Sequence, residues 1–185
     1  MEVIRTEFEG LFEIRPRVFE DDRGWFMESF NQERYLNELG NIEPFVQDNI
    51  SCSGKHSLRG LHFQAPPFAQ SKLVMVTQGK ALDVVVDLRQ SSATYGLHYK
   101  VVLDAKLKNQ LYVPRGFAHG FVALEDNTYF QYKCDNVYHK NSERTILWSD
   151  LQLGIDWGVS EPVISEKDLV GESFHEFVTP FLHGL

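Results

Sequence analysis

The sequence predicts an all-β jelly-roll barrel with a few short helices, and three features support this prediction. Short apolar segments rich in β-branched residues recur along the chain, which is typical of strands. Turn-forming clusters such as QGK (78–80) and EDN (125–127) separate them at the spacing of a sandwich or barrel. The segment LDVVVDL (82–88) is apolar on both faces, as expected between two layers. A jelly-roll or cupin-like barrel fits all three features, and such barrels bind ligands in their mouths.

The individual elements follow from local signals. One helix is predicted in NQERYLNELG, with Asn31 as its N-cap and Gly40 as its stop. The C-terminal stretch 165–182 is expected to add a short helical turn. Strands are predicted in FEIRPRVF (12–19), FVQDNIS (45–51), RGLHFQ (59–64), KLVMVTQG (72–79), KALDVVVDL (80–88), LHYKVVL (97–103), NQLYVP (109–114), HGFVAL (119–124), TYFQYKC (128–134) and TILW (145–148).

Length and charge limit the class of protein. A chain of 185 residues suits one domain, expected to span 1–185. The net charge of −8 disfavours nucleic acid, but a few local cations can still bind a small anion. The N-terminal segment lacks the basic and apolar regions of a secretory signal, so we expect none, and no run is long enough to span a membrane. Cys52 and Cys134 lie outside any CxxC motif, so we expect reduced thiols and a cytoplasmic protein.

The segment RGLHFQ carries polar residues in a strand that must bury apolar ones. Alternation places Leu61 and Phe63 on one face and His62 and Gln64 on the other. His62 could be a hydrogen-bonded core residue or could carry chemistry. Jelly-roll barrels often bind a metal through an HxH pair, but here Gln64 stands in the second position. With only His62 and His119 as good ligands, we expect no catalytic metal.

Other residues also have both a structural and a functional interpretation. The Lys72 ammonium, at the head of an apolar strand, would either reach solvent or point into a cavity. Tyr132 and Tyr138 suit strand packing, but a phenol can also donate a proton or stack on a ligand. Lys167 and Asp168 would by default form a solvated charge pair. Alternatively, Asp168 would dock on the histidine of RGLHFQ and raise its basicity.

Motifs in matching order along nearly the whole chain resemble the dTDP-4-dehydrorhamnose 3,5-epimerase family of cupin-fold enzymes. They are FEDDRGWFMESF (19–30), QDN (47–49), LRGLHFQ (58–64), QSKLVMV (70–76), DVVVDLR (83–89), YVPRGFAHGF (112–121), YKCDNVY (132–138) and SEKD (165–168). The resemblance implies epimerisation of dTDP-4-dehydro-6-deoxy-D-glucose at C3 and C5 through an enolate. The product would be dTDP-4-dehydro-L-rhamnose, made without a cofactor in dTDP-L-rhamnose biosynthesis by a homodimer.

The resemblance also implies roles for individual residues. His62 would be the base supported by Asp168, Tyr132 the acid on the opposite face, and Lys72 would lie near the keto oxygen of the sugar. Tyr138 matches the ring that stacks on thymine. Further binding positions match Arg59 and His119 around the phosphates and sugar, Gln47, Asn49 and Lys167 at the nucleotide, Glu143, and Arg23 and Glu28 reaching the nucleotide of a neighbouring subunit.

Three alternatives remain at this point. The first is a related enzyme that inverts only C3 or only C5, since the same base and acid would serve. The second is a sugar-nucleotide-binding cupin without turnover, which retention of His62, Tyr132 and Asp168 disfavours. The third is a metal-dependent cupin isomerase or dioxygenase, which the His62, Phe63, Gln64 triplet disfavours.

Overall fold

The computed structural model describes residues 1–40 and 42–182, which form two facing β-sheets and a separate hairpin. The strands are β1 (Glu2–Arg5), β2 (Phe12–Arg15), β3 (Val18–Asp21), β4 (Gly24–Met27), β5 (Gln47–Ser53), β6 (Ser57–Gln64), β7 (Lys72–Gln78), β8 (Lys80–Asp87), β9 (His98–Asp104), β10 (Gln110–Val113), β11 (Phe117–Ala123), β12 (Thr128–Cys134), β13 (Glu143–Thr145) and β14 (Val163–Ile164). The helices are α1 (Gln32–Leu39), α2 (Glu166–Leu169) and a 3₁₀ turn at Lys140–Ser142.

The first sheet has the order β1-β2-β10-β7-β12-β5, and the second has β13-β6-β11-β8-β9 with β14 parallel to β6. The strands on both of these paths pair antiparallel. β3 and β4 form a hairpin outside both sheets. The prediction of an all-β jelly roll with a few short helices is therefore confirmed.

Most predicted elements are present, with differences near element ends. The predicted strand 12–19 is divided at Pro16, which has no N–H for a strand ladder. The strand predicted in TILW is wrong, because β13 ends at Thr145 and Ile146 lies outside it, in an isolated bridge to Glu172. Strands β1 and β4 were not predicted. The first helix is confirmed: the Asn31 side chain accepts from the Arg34 amide, and Gly40 ends it at φ +85°.

Two apolar clusters leave one end of the barrel free for a pocket. Between the sheets, the rings of Phe121 and Phe130 stack at 4.0 Å as part of a fully buried cluster. Behind the second sheet, Leu61 and Phe63 pack against the C-terminal segment, with Phe63 edge-on to Phe181. This confirms the predicted apolar face of RGLHFQ. Its polar face is left to point into the barrel.

A bulge in β6 changes which side chains share that polar face. Along β11, His119 is opposite His62 while Phe121 is opposite Arg59, so β6 has one more residue than its partner in this interval. The extra residue reverses the alternation. Arg59, which simple alternation would place with the buried Leu61, therefore lies on the same side as His62.

Glycines permit the strand contact at the bulge. A Cβ on Gly120 would lie 2.8 Å from the Arg59 carbonyl oxygen and 3.2 Å from the Gly60 Cα. Gly60 has φ +128°, a conformation that L side chains rarely adopt. The two backbones can approach this closely because neither residue has a side chain.

We expect Gly120→Ala to lower the free energy of unfolding by about 1–3 kcal/mol, because the new methyl group would force β6 and β11 apart. Thermal unfolding followed by circular dichroism measures the change. Gly54→Ala is the matched control, since a Cβ there would have no neighbour closer than 3.8 Å. Equal melting temperatures for the two variants would contradict the close contact.

Candidate active site

A cavity of about 290 Å³ opens between the two sheets above the stacked phenylalanines. One wall comes from β6 and β11 of the second sheet, and the other from β5, β7 and β12 of the first. The residues that line this cavity are Ser51, Arg59, His62, Lys72, His119, Gly120, Phe121, Phe130, Tyr132, Ser165, Lys167 and Asp168.

His62 and Asp168 form a hydrogen-bonded pair although 106 residues separate them in the chain. The distance from His62 Nε2 to Asp168 Oδ1 is 2.6 Å. Helix α2 positions Asp168, since the Ser165 side chain caps the helix by accepting from the Asp168 amide. When Asp168 accepts a hydrogen bond from the Nε2–H group, the neutral imidazole carries its free lone pair on Nδ1. This arrangement suits a general base.

Tyr132 and Lys72 face His62 from the first sheet. Their strands pair side by side, and the Lys72 ammonium lies 5.9 Å from the centre of the Tyr132 ring. Burial raises the pKa of Tyr132, with the Cys134 thiol adding to the effect, so the phenol keeps its proton at neutral pH. Burial lowers the pKa of Lys72, while nearby acidic groups, first Cys134 and then Asp83, oppose that effect.

A second histidine–carboxylate pair lies at the base of the same cavity. His119 Nε2 is 2.8 Å from Oδ2 of the fully buried Asp83. Burial lowers the pKa of His119, and the Asp83 charge opposes the shift. Sequence reasoning missed Asp83. The signal was present as a carboxylate within the apolar run LDVVVDL, which needs a buried partner.

A second cavity of about 350 Å³ adjoins the first and shares His62, Lys72 and Tyr132 with it. At the rim of this second cavity, the Glu143 carboxylate accepts hydrogen bonds from Lys167 Nζ at 2.5 Å and from the Tyr138 hydroxyl at 3.0 Å. The residues lining this cavity are Gln47, Asn49, His62, Phe63, Gln64, Gln70, Lys72, Tyr132, Cys134, Tyr138 and Glu143.

The structure brings most of the predicted site residues to these two cavities, but not all. Arg23 is at the exposed tip of the β3–β4 hairpin, paired with Asp21 at 2.5 Å. Glu28 follows that hairpin and pairs with Arg34 at 2.9 Å. Neither Arg23 nor Glu28 lines either cavity. Arg59 does, and its Nε donates to Ser53 Oγ at 3.2 Å.

Gln64 occupies the position of the second imidazole in an HxH pair, and its amide is already engaged. It donates to the backbone carbonyls of Phe68 and Val137 and accepts from the His139 amide. Within residues 1–40 and 42–182, no cluster of three or more His, Cys, Asp or Glu side chains is placed to hold a metal ion.

Chemically, the site is a jelly-roll pocket that brings together groups able to donate and accept protons. It places a histidine base on one wall, a protonated phenol on the other and an ammonium beside the phenol. A base and an acid on opposite sides of one carbon can remove a proton from one face and return one to the other. Such a pocket belongs to the class of racemases and epimerases.

The comparisons with known proteins agree with this class. The sequence model of the family described as dTDP-4-dehydrorhamnose 3,5-epimerase matches residues 5–176. The chain is 50% identical over 169 residues to dTDP-4-dehydrorhamnose 3,5-epimerase of Escherichia coli (strain K12), covering 91% of each protein. This chain therefore belongs to the dTDP-4-dehydrorhamnose 3,5-epimerase family, which confirms the resemblance seen in its motifs.

Solved structures show the same fold. The crystal structure of dTDP-6-deoxy-D-glucose-3,5-epimerase from Legionella pneumophila Philadelphia 1, in complex with dTDP-4-keto-L-rhamnose, superposes with a TM-score of 0.92 at 43% identity. It covers 96% of this chain and 94% of that one. The structure of a 3'-monoepimerase from Streptomyces bikiniensis in complex with dTDP-quinovose superposes with a TM-score of 0.86 at 31% identity. The match covers 91% of this chain and 85% of that one.

None of the helices in the described part of the chain is long and apolar enough to cross a membrane.

The His62–Asp168 pair makes stability depend on pH. Burial by itself would raise the pKa of the Asp168 carboxyl, but the hydrogen bond and charge of His62 outweigh it and hold the pKa below its ordinary value of 3.8. The ionised carboxylate therefore stabilises the folded chain above pH 3.8, and this contribution disappears as pH falls from 3.8 through the lower folded-state pKa.

We expect Asp168→Asn to lower the free energy of unfolding by about 2 kcal/mol at pH 7, because a buried charged hydrogen bond is lost. The difference from the unsubstituted chain should shrink as pH falls from 3.8 through the lower folded-state pKa, below which Asp168 is neutral in both states. Urea unfolding at pH 7, 5, 4 and 3 measures it, with the exposed Glu161→Gln as the charge-removal control. A gap that stays constant down to pH 3 would refute the role of the charge.

Proposed function

We propose that the central cavity catalyses epimerisation at C3 and C5 of dTDP-4-dehydro-6-deoxy-D-glucose, with proton removal on one wall and proton return on the other. His62, supported by Asp168, takes the proton from one face of the sugar, and Tyr132 returns one to the opposite face. The observation that carries this proposal is the 2.6 Å His62–Asp168 pair facing Tyr132 across one cavity. The product is dTDP-4-dehydro-L-rhamnose.

The activity agrees with the family, whose members are isomerases, and this chain is an epimerase of that family. The ketone at C4 makes the hydrogens on C3 and C5 acidic, because removal of either leaves an enolate with its charge on the C4 oxygen. Catalysis then needs a base, a donor that stabilises the enolate and an acid on the other face. The residues of the cavity supply all three.

Lys72 is our candidate for stabilising the enolate. Its ammonium lines both cavities and lies next to Tyr132, on the wall opposite His62. A cation in a partly desolvated site interacts more strongly with a developing negative charge than it would in water. The acidic groups near it favour the charged form of the amine.

The binding roles follow the positions of the remaining side chains. We propose that Arg59 binds the diphosphate, because a guanidinium can make two charge-assisted hydrogen bonds with phosphate oxygens. His119 would contact the sugar from the base of the cavity, and Tyr138 would stack on thymine. Gln47, Asn49, Glu143 and Lys167 would hold the nucleotide at the rim.

We further propose that residues 1–185 act as one epimerase domain that pairs as a homodimer. The β3–β4 hairpin supports this proposal, because it projects outside both sheets with Phe19, Trp25 and Phe26 exposed by 49%, 57% and 68%. Arg23 at its tip would then reach the nucleotide of the neighbouring subunit. The free thiols of Cys52 and Cys134 fit a cytoplasmic location.

We expect His62→Asn to lower turnover by about 10²- to 10⁴-fold, as is typical for loss of a general base, while dTDP still binds. NMR of the sugar after incubation of dTDP-4-dehydro-6-deoxy-D-glucose in heavy water measures exchange at C3 and C5. His175→Asn is the control, since His175 is exposed and lines neither cavity. Near-normal exchange in a folded His62→Asn variant would refute the assignment of the base.

We expect Tyr132→Phe to separate exchange from inversion. His62 can still remove a proton and return a deuteron to the same face, so label enters the sugar while product with inverted configuration falls by about 10²-fold or more. Coupling constants in the same NMR experiment report the configuration at each carbon. Normal inversion in this variant would show that the acid is another group. Label at one carbon only, with the unsubstituted protein, would instead establish a mono-epimerase.

A further inference from the structure

The segment 135–139 carries the proposed base-stacking ring but belongs to no strand or helix. Tyr138 itself is 52% exposed, so packing does little to fix its position. The polar backbone groups of such a segment must find partners outside a regular ladder. In this protein, the side chains of Gln64 on β6 and Gln47 on β5 provide partners for residues 137–139.

Gln64, at the end of β6 and only 5% exposed, holds the residues on both sides of Tyr138. Its Nε2 donates to the Val137 carbonyl at 3.2 Å, and its Oε1 accepts from the His139 amide at 2.7 Å. The same Nε2 also donates to the Phe68 carbonyl at 3.2 Å. One buried amide thus joins the segment to the loop after β6.

Two further contacts support residues 138 and 139, while Gln70 Nε2 donates to the Asn136 carbonyl at 2.7 Å. Gln47 Oε1 on β5 accepts from the Tyr138 amide at 3.0 Å, so the three hydrogen bonds to Val137, Tyr138 and His139 come from opposite sheets. The His139 ring stacks on Phe68 with centroids 4.0 Å apart and planes within 8°. The backbone of Tyr138 is therefore fixed although its ring is accessible.

We propose that Gln64 is a positioning residue for the nucleotide site: its buried amide holds Val137 and His139 so that the Tyr138 ring is ordered before the base arrives. A ring that is already ordered loses less conformational freedom on binding, which increases affinity. The amide is occupied by hydrogen bonds to backbone groups and is assigned no part in proton transfer. This inference rests on the proposed stacking role of Tyr138.

The inference is tested with Gln64→Met, which keeps the side-chain length but removes the hydrogen bonds, using dTDP as the probe in calorimetric titration. We expect the affinity for dTDP to weaken about 5- to 20-fold, because the contribution of one to two hydrogen bonds is lost. Turnover at saturating substrate should stay within about twofold, because His62 and Tyr132 keep their places. Unchanged affinity, or lost turnover with normal affinity, would overturn the inference.

A double-mutant cycle separates positioning from general destabilisation. In a Tyr138→Ala background, Gln64→Met should weaken dTDP binding by less than about twofold, because there is no longer a ring to position. Thr128→Val is the matched control. Thr128 is buried at the other end of β12, and its hydroxyl donates to the backbone carbonyls of Lys80 and Glu125. Loss of that hydroxyl should leave the affinity for dTDP unchanged. Additive losses in the double variant would overturn the inference.

The same measurements distinguish this inference from the proposed function. If the unsubstituted protein binds dTDP with intact coupling between Gln64 and Tyr138 but exchanges no sugar proton, the proposed chemistry is wrong and the positioning role stands. If exchange occurs normally and the coupling is absent, only the positioning role is wrong.

Discussion

The close contact between β6 and β11 at Gly60 and Gly120 is the constraint on which the site depends. A Cβ on Gly60 would lie 2.5 Å from the Gly120 Cα, a distance that excludes any side chain there. The contact accommodates the extra residue of the β6 bulge. The bulge in turn brings Arg59 and His62 to one side of the strand. A regular strand would have pointed the arginine into the apolar layer behind the second sheet.

Pairing of the buried Asp168 and Asp83 carboxylates with histidines allows so many polar groups to lie inside the barrel. His62 contacts Asp168 and His119 contacts Asp83, so each of these two histidines has a carboxylate partner. One oxygen of Asp83 has no hydrogen-bond partner among the described residues, which leaves negative charge near Lys72. Buried charges are tolerated when they are paired. The cavity thereby holds an ammonium, an imidazole and a phenol within one lining.

The site residues could be predicted to very different degrees. The motifs around His62, Tyr132 and Lys72 identified the catalytic candidates directly, because each lies in a segment typical of the family. Asp168 was assigned through the same resemblance, but spacing alone made it a surface charge. Its contact with a histidine 106 residues away depends on helix α2 docking against β6. Such long-range contacts have no local signal. Asp83 stood out as a carboxylate within an apolar run, but the run did not show that His119 would be its partner.

The sequence by itself determined the fold class, most strands, the capped helix and the chemical types that meet in the pocket, since alternation, turn residues and capping act over a few neighbours. Tertiary structure decided the rest. It divided the predicted strand at Pro16, ended β13 before the predicted TILW strand, reversed the orientation of Arg59 through a bulge, and used Gln64 to hold the Tyr138 segment. These outcomes depend on which distant backbones touch, and that is fixed only when both sheets pack together.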